Sequence, residues 1–185
     1  MVSMNVSVES MLLGIDQRNR AAATELWQDL QKHLPDSPGS TGAHQAWPGG
    51  YADHIREVMN IANILYESLG GHRNLPFTLQ SALLVLFLHD CEKPFKNASD
   101  SELEKFGWVT KRPTKSDKLF QQELLSHYKF DLTSDEMNGL KYVEGEGDDY
   151  KHGDRVQGPL AAFCHICDVT SARIWHDYPR GNNEV

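Results

Sequence analysis

Residues 82–88, Ala-Leu-Leu-Val-Leu-Phe-Leu, are apolar without a break, and the run ends directly in His89-Asp90. Seven residues make about two helical turns, so a helix here is apolar on nearly every side. Such a segment belongs in the interior, with the rest of the chain packed round it. It is too short to span a bilayer, which takes about 20 apolar residues. It reads as a buried helix or strand, and it fixes a histidine and an aspartate at the end of the most buried part of the chain.

Breakers divide the remainder into stretches of mostly helical character. Residues 19–33 are rich in Ala, Leu, Glu and Gln, all good helix formers, and stop at the turn-rich Pro35-Asp36-Ser37-Pro38-Gly39-Ser40. Residues 1–40 are therefore expected to form an N-terminal helical arm packed on a main body of residues 41–176, followed by a polar tail, 177–185. After Pro48-Gly49-Gly50, the residues Tyr51, His54, Val58, Ile61 and Leu65 recur at helical spacing and share one face. Asp53, Arg56, Glu57 and Asn60 fall largely off that face. Gly70-Gly71 is expected to end this helix, and Pro94 to end the apolar helix of residues 76–90.

Residues 99–115 read as a short helix and a loop, and 116–128 as a helix. Residues 133–143 read as a helix opened by the capping box Thr133-x-x-Glu136. Residues 144–149 form an acidic, glycine-rich loop, and 156–175 a long helix with Pro159 near its start. No stretch alternates with period two. The expected fold is all-α, a single-domain bundle of about six to eight helices.

Composition narrows the function classes. Lys plus Arg is 18 and Asp plus Glu is 26, giving a net charge of −8. That balance disfavours nucleic acid backbones and anionic membranes as partners. Three cysteines exclude a disulfide scaffold and fit a reducing cytosol. Residues 1–16 carry Glu9 and Asp16 and lack a basic region before an apolar stretch, so they are not a secretory signal, and a cytoplasmic location is expected.

The chemistry lies in polar residues placed on apolar helices. His54 sits on the apolar face of its helix, His89 and Asp90 end the apolar run, and Asp168 lies within Ala161-Ala162-Phe163-Cys164-His165-Ile166-Cys167-Asp168. A buried imidazole or carboxylate without a partner is costly. One divalent cation would satisfy all four, and mixed nitrogen and oxygen ligands suit Mn, Fe, Co, Ni, Zn or Mg. His176-Asp177, the second His-Asp pair, sits in a polar C-terminal stretch and is read as incidental.

Three stretches together resemble the HD superfamily of metal-dependent phosphohydrolases. His44-Gln-Ala-Trp-Pro-Gly-Gly-Tyr-Ala-Asp-His54 is similar to its opening motif, Leu-Phe-Leu-His89-Asp90-Cys-Glu-Lys93 to its central motif, and Cys-His-Ile-Cys-Asp168-Val-Thr-Ser-Ala to its last. The resemblance covers about residues 44–175. It implies an HD-type helical domain with metal ligands at His54, His89, Asp90 and Asp168, and with Asp90 and Lys93 in catalysis. It implies Lys93 as a contact to a substrate phosphate and His44 as a further pocket residue. Members with two metals carry extra histidines, one near Asp117 and one near Val143 or Glu144, and this chain has none there. A single divalent ion is therefore expected, with the 144–149 loop either replacing a ligand or bounding the cleft.

The implied activity is hydrolysis of a small phosphate ester, most simply a nucleotide. The alternatives are a phosphodiesterase or 3′-exonuclease acting on oligonucleotides or cyclic nucleotides, and a non-catalytic metal-containing ligand-binding or regulatory module. Blander readings stand beside some residues. Lys93 at a helix end is favoured there by the helix dipole. His165, three residues before Asp168, reads as packing, and Glu92 as solvated. Cys164-x-x-Cys167 has no second pair to complete a zinc site and reads as two buried free thiols. Trp47 and Trp175 read as core or rim packing. His33, His72, His127, His152 and His176 lie in polar surroundings and read as surface residues.

Overall fold

The computed structural model describes residues 6–42, 44–114 and 117–174. These residues are all-α, without a strand. Helices α1 (Val8–Leu12) and α2 (Gln17–His33) form the N-terminal arm. Next come α3 (Gly50–His72), α4 (Leu79–Leu88), α5 (Glu92–Asn97) and α6 (Asp100–Leu103). Then follow α7 (Lys118–His127), α8 (Ser134–Tyr142) and α9 (Pro159–Ile174), with a 3-10 turn at Gly147–Asp149 between the last two.

The apolar run is the axle of the fold. Each of residues 82–88 is buried, and α4 touches α1, α2, α3, α8 and α9. A helix with no polar stripe has no side to give to water, so partners cover it all round. Against it, α8 approaches closely at Gly139, where an added Cβ would lie 2.8 Å from Val85 Cγ2. Helices α3 and α9 also pack on each other. The arm is bound into the same core: Val8, Met11, Leu12, Leu26 and Trp27 join one cluster with the α3, α4 and α9 side chains.

Local signals set most helix starts. Thr78 caps α4 by accepting from Ser81 N, and Thr133 and Glu136 close the expected capping box at α8. Pro159 opens α9, a first-turn position where its missing N–H costs nothing.

Two expectations need correction, and two further features have no signal in the sequence. Gly70-Gly71 does not stop α3, which runs to His72; neither glycine adopts a left-handed φ, and both lie in open space where a helix tolerates them. Pro94 does not close a helical region. The apolar helix ends at Leu88, His89-Asp90 form a one-turn break, and Pro94 falls in the first turn of α5, where no intrahelical donor is missed. The short α1 carries no periodicity that a sequence window would register. Asn60 lies off the apolar stripe yet is only 9% exposed, because Val6 N donates to its Oδ1 and its Nδ2 donates to Val6 O. Trp175, His176-Asp177, the 177–185 tail and residues 1–5 of the arm lie outside the described residues. Among the described residues no helix is long and apolar enough to cross a membrane.

Candidate metal centre

Three elements of the core deliver four polar groups to one point. His54 comes from the buried face of α3, His89 and Asp90 from the break after α4, and Asp168 from the third turn of α9. His54 is 0% exposed, and the side chains of His89, Asp90 and Asp168 are 1%, 2% and 17% exposed. The two Nε2 atoms are 3.2 Å apart. His54 Nε2 lies 3.3 Å from both Asp90 Oδ2 and Asp168 Oδ1. His89 Nε2 lies 3.2 Å from Asp90 Oδ2 and 3.5 Å from Asp168 Oδ1.

These separations fit a shared ion. Donor atoms each about 2.1 Å from one cation, at angles of 90–110°, are about 3.0–3.4 Å apart. His54, His89 and Asp168 form a group able to hold a metal ion, with ligand atoms within 4.8 Å of one another. The tautomer of His89 agrees: its Nδ1 is 2.7 Å from Leu86 O, an acceptor only, so Nδ1 carries the proton. In the neutral ring this leaves the Nε2 lone pair for the centre. On the far side of His54, Nδ1 is 3.0 Å from Ser171 Oγ.

The electrostatics follow from two carboxylates held close to imidazoles in a dry place. Burial works against charge on His89, but Asp90 and Asp168 outweigh it and hold the ring well above the ordinary histidine range. Burial likewise opposes ionisation of Asp90; His89, His54 and Lys93 reverse the sign and hold it well below the usual carboxylate range. Asp168 is lowered by the same two imidazoles against its own desolvation. Lys93, a half-buried side chain, hydrogen-bonds Asp90 Oδ2, and burial is again outweighed by that carboxylate, so its ammonium is held above its ordinary value.

His44 also reaches the site. Its ring is 5.0 Å from that of His54, and its Nε2 is buried without a hydrogen bond. Burial first, then the charges of His54 and Lys93, lower it to about 4, so the ring is neutral near pH 7. Glu92 corrects an expectation: it is not solvated but half-buried beside His89 on the wall of a cleft of about 630 Å³. Burial and the neighbouring Asp90 raise it to about 7. Asp117 and Glu144 border the same cleft. Asp117 is occupied as the cap of α7, accepting from Phe120 N.

His165 stands apart from the centre and ties α9 to the end of α8 by donating from Nδ1 to Val143 O at 2.6 Å. Cys164 and Cys167 are buried free thiols, as is Cys91. Trp47 is half-buried, its indole N–H donating to Asp53 Oδ2. His127 is exposed and stacks on Trp108, and His33 packs half-buried on Phe106.

Gln45, Glu57 and Ser171 were not anticipated from the sequence. Ser171 follows Asp168 by three residues and Glu57 follows His54 by three, so helical spacing puts each beside a candidate ligand. Glu57 lies off the apolar stripe of α3, so the pattern of that helix gives no sign of its contact with Ser171. Compared with known proteins, the chain matches no family model, no curated protein and no solved structure.

Proposed function

We propose that this chain is a metal-dependent phosphohydrolase that cleaves a small phosphate ester, in the simplest case a nucleotide. The observation that carries the reading is the convergence of two imidazole nitrogens and two carboxylate oxygens at 3.2–3.5 Å, inside an apolar core and beside an open cleft. His54, His89, Asp90 and Asp168 would hold one divalent ion, Mn, Fe, Co, Ni, Zn or Mg. Such an ion supplies Lewis-acid polarisation of a phosphoryl oxygen and lowers the pKa of water near it. The resemblance of the three motifs to HD-superfamily phosphohydrolases supports the same reading.

The chain's own residues have separable tasks. Two carboxylates against a doubly charged ion leave no net positive charge, and Lys93 beside Asp90 restores it where a phosphoryl group would bind. His44, neutral and with an unpaired Nε2, can hydrogen-bond the substrate without adding charge. The cleft, walled by Leu125, Leu140 and Val143 together with Gln121 and Lys118, has room for the organic part of a small ester.

The test is phosphate release by protein loaded in turn with each candidate metal, against nucleoside monophosphates and matched dinucleotides. Metal-dependent release from a monophosphate is the expected result, with Asp90→Asn lowering kcat by about 100-fold or more. Cleavage of the dinucleotide alone makes the chain a diesterase. Tight nucleotide binding without turnover makes it a binding module. No turnover of any ester with any metal overturns the reading.

A further inference from the structure

The groups behind His54 fix which atom donates at its Nδ1. Ser171 is fully buried, and its Oγ has three polar neighbours: His54 Nδ1 at 3.0 Å, Gln45 Nε2 at 3.2 Å and Glu57 Oε2 at 2.5 Å. The Gln45 amide nitrogen donates only, and it donates also to Glu57 Oε2 at 2.7 Å. Flipping that amide would set its carbonyl oxygen 2.7 Å from a carboxylate oxygen, which fixes its orientation. The carboxylate accepts only, so the single hydroxyl proton of Ser171 goes to Glu57. Oγ then has lone pairs alone to offer His54, and the Nδ1 of His54 must be the donor. In the neutral ring, the form that binds a metal ion, this leaves the Nε2 lone pair facing Asp90, Asp168 and His89.

The loop that brings Gln45 in is built round it. Gln45 is 4% exposed yet has φ +44°, a left-handed conformation unusual for a side-chain-bearing residue. Gly39 N donates to Gln45 O at 2.9 Å. A Cβ on Gly39 would lie 2.9 Å from Gln45 Cβ, and one on Gly50 would lie 1.9 Å from Gln45 O. Strain of this kind persists where the surroundings over-determine it, and it concentrates at functional sites.

We propose that Gln45, Glu57 and Ser171 form a hydrogen-bonded relay that fixes His54 as the Nδ1–H tautomer and so sets the affinity of the His54–His89–Asp168 group for a metal ion. They are positioning residues; none offers an atom to the ion. The relay rests on the reading of that group as a metal site, but its proton arrangement is read separately.

The probe is Zn(II), which is diamagnetic and permits imidazole nitrogen NMR. Two readouts are taken on the full chain, native and variant: the Zn(II) dissociation constant by chelator competition, and the ring-nitrogen spectrum of His54. Native protein binds Zn(II) and shows a hydrogen-bonded, exchange-protected Nδ1–H on His54. Ser171→Ala removes the acceptor, weakens Zn(II) by about 10–100-fold and loses that protection. Glu57→Ala frees the serine hydroxyl to turn towards His54, admits the Nε2–H tautomer and weakens Zn(II) in the same direction. Glu57→Gln keeps a carbonyl acceptor and restores both readouts. Far-UV circular dichroism and urea midpoints identify any variant that loses the fold, and the other variants then carry the test. Native protein that binds Zn(II), with Ser171→Ala and Glu57→Ala binding within twofold of it and keeping the protected Nδ1–H, overturns the relay. Native protein that takes up no Zn(II) overturns the metal reading and the relay with it.

Discussion

At His89 two demands meet in one ring. Nδ1 is committed to Leu86 O, and Nε2 faces two carboxylates that hold the ring well above the ordinary histidine range despite burial. Metal-free protein therefore keeps His89 protonated at neutral pH, and an ion must displace that proton. Uptake of Zn(II) at pH 7 is expected to release about one proton per ion, with affinity falling as pH falls; calorimetry in two buffers of different ionisation enthalpy measures it. Gly50 is the second residue where one atom decides. Its Cβ would meet Gln45 O at 1.9 Å, so Gly50→Ala is expected to cost about 3 kcal/mol or more by denaturant midpoint, by displacing the loop that carries His44 and Gln45. His54, His89, Asp90 and Asp168 were legible because each is a polar residue on an apolar segment. Glu57 and Ser171 were not, since a glutamate off the stripe and a serine among small residues look ordinary until the fold puts them behind His54.

Among the elements, α3 shows what periodicity can and cannot say. Its buried stripe was readable, but the Gly-Gly stop was not observed, because a glycine pair ends a helix only when one residue turns left-handed. Gly71 lies in open space within the helix, so Gly71→Ala is expected to stabilise by about 0.5–1 kcal/mol in urea unfolding. The arm is held by a contact between α1 and α2, where Trp27 Nε1 donates to Glu9 Oε1 at 2.7 Å. That bond is the main cause of a lowered Glu9 pKa. A carboxylate with a depressed folded value stabilises fully above its ordinary value, and the contribution is lost as pH falls through the lowered one. Glu9→Gln is thus expected to lower the urea midpoint at pH 7 and to lose that deficit towards pH 3, followed by Trp fluorescence.

For the molecule as a whole, stability and site share one scaffold. Leu86 is 0% exposed in the helix that touches five others, so Leu86→Ala is expected to cost about 2–5 kcal/mol and to loosen the site with the core. Because α3, the break after α4 and α9 each supply a residue of the group that could hold an ion, an ion bound there only by the folded state would stabilise all three together. Free ion at 100 times its dissociation constant adds about 2.7 kcal/mol, and thermal unfolding with and without chelator reads this as a raised Tm. The sequence by itself determined the all-α class and the four polar intrusions into the core. Both follow from local chemistry, since helical periodicity and an apolar neighbourhood are visible within about 20 residues. Only the tertiary structure decided that Val6, just ahead of α1, pairs with Asn60, that Glu92 is withdrawn into a cleft, and that Gln45, Glu57 and Ser171 meet behind His54. Ser171 is 117 residues from His54 and 126 from Gln45, and nothing in a sequence window encodes which distant helices pack there.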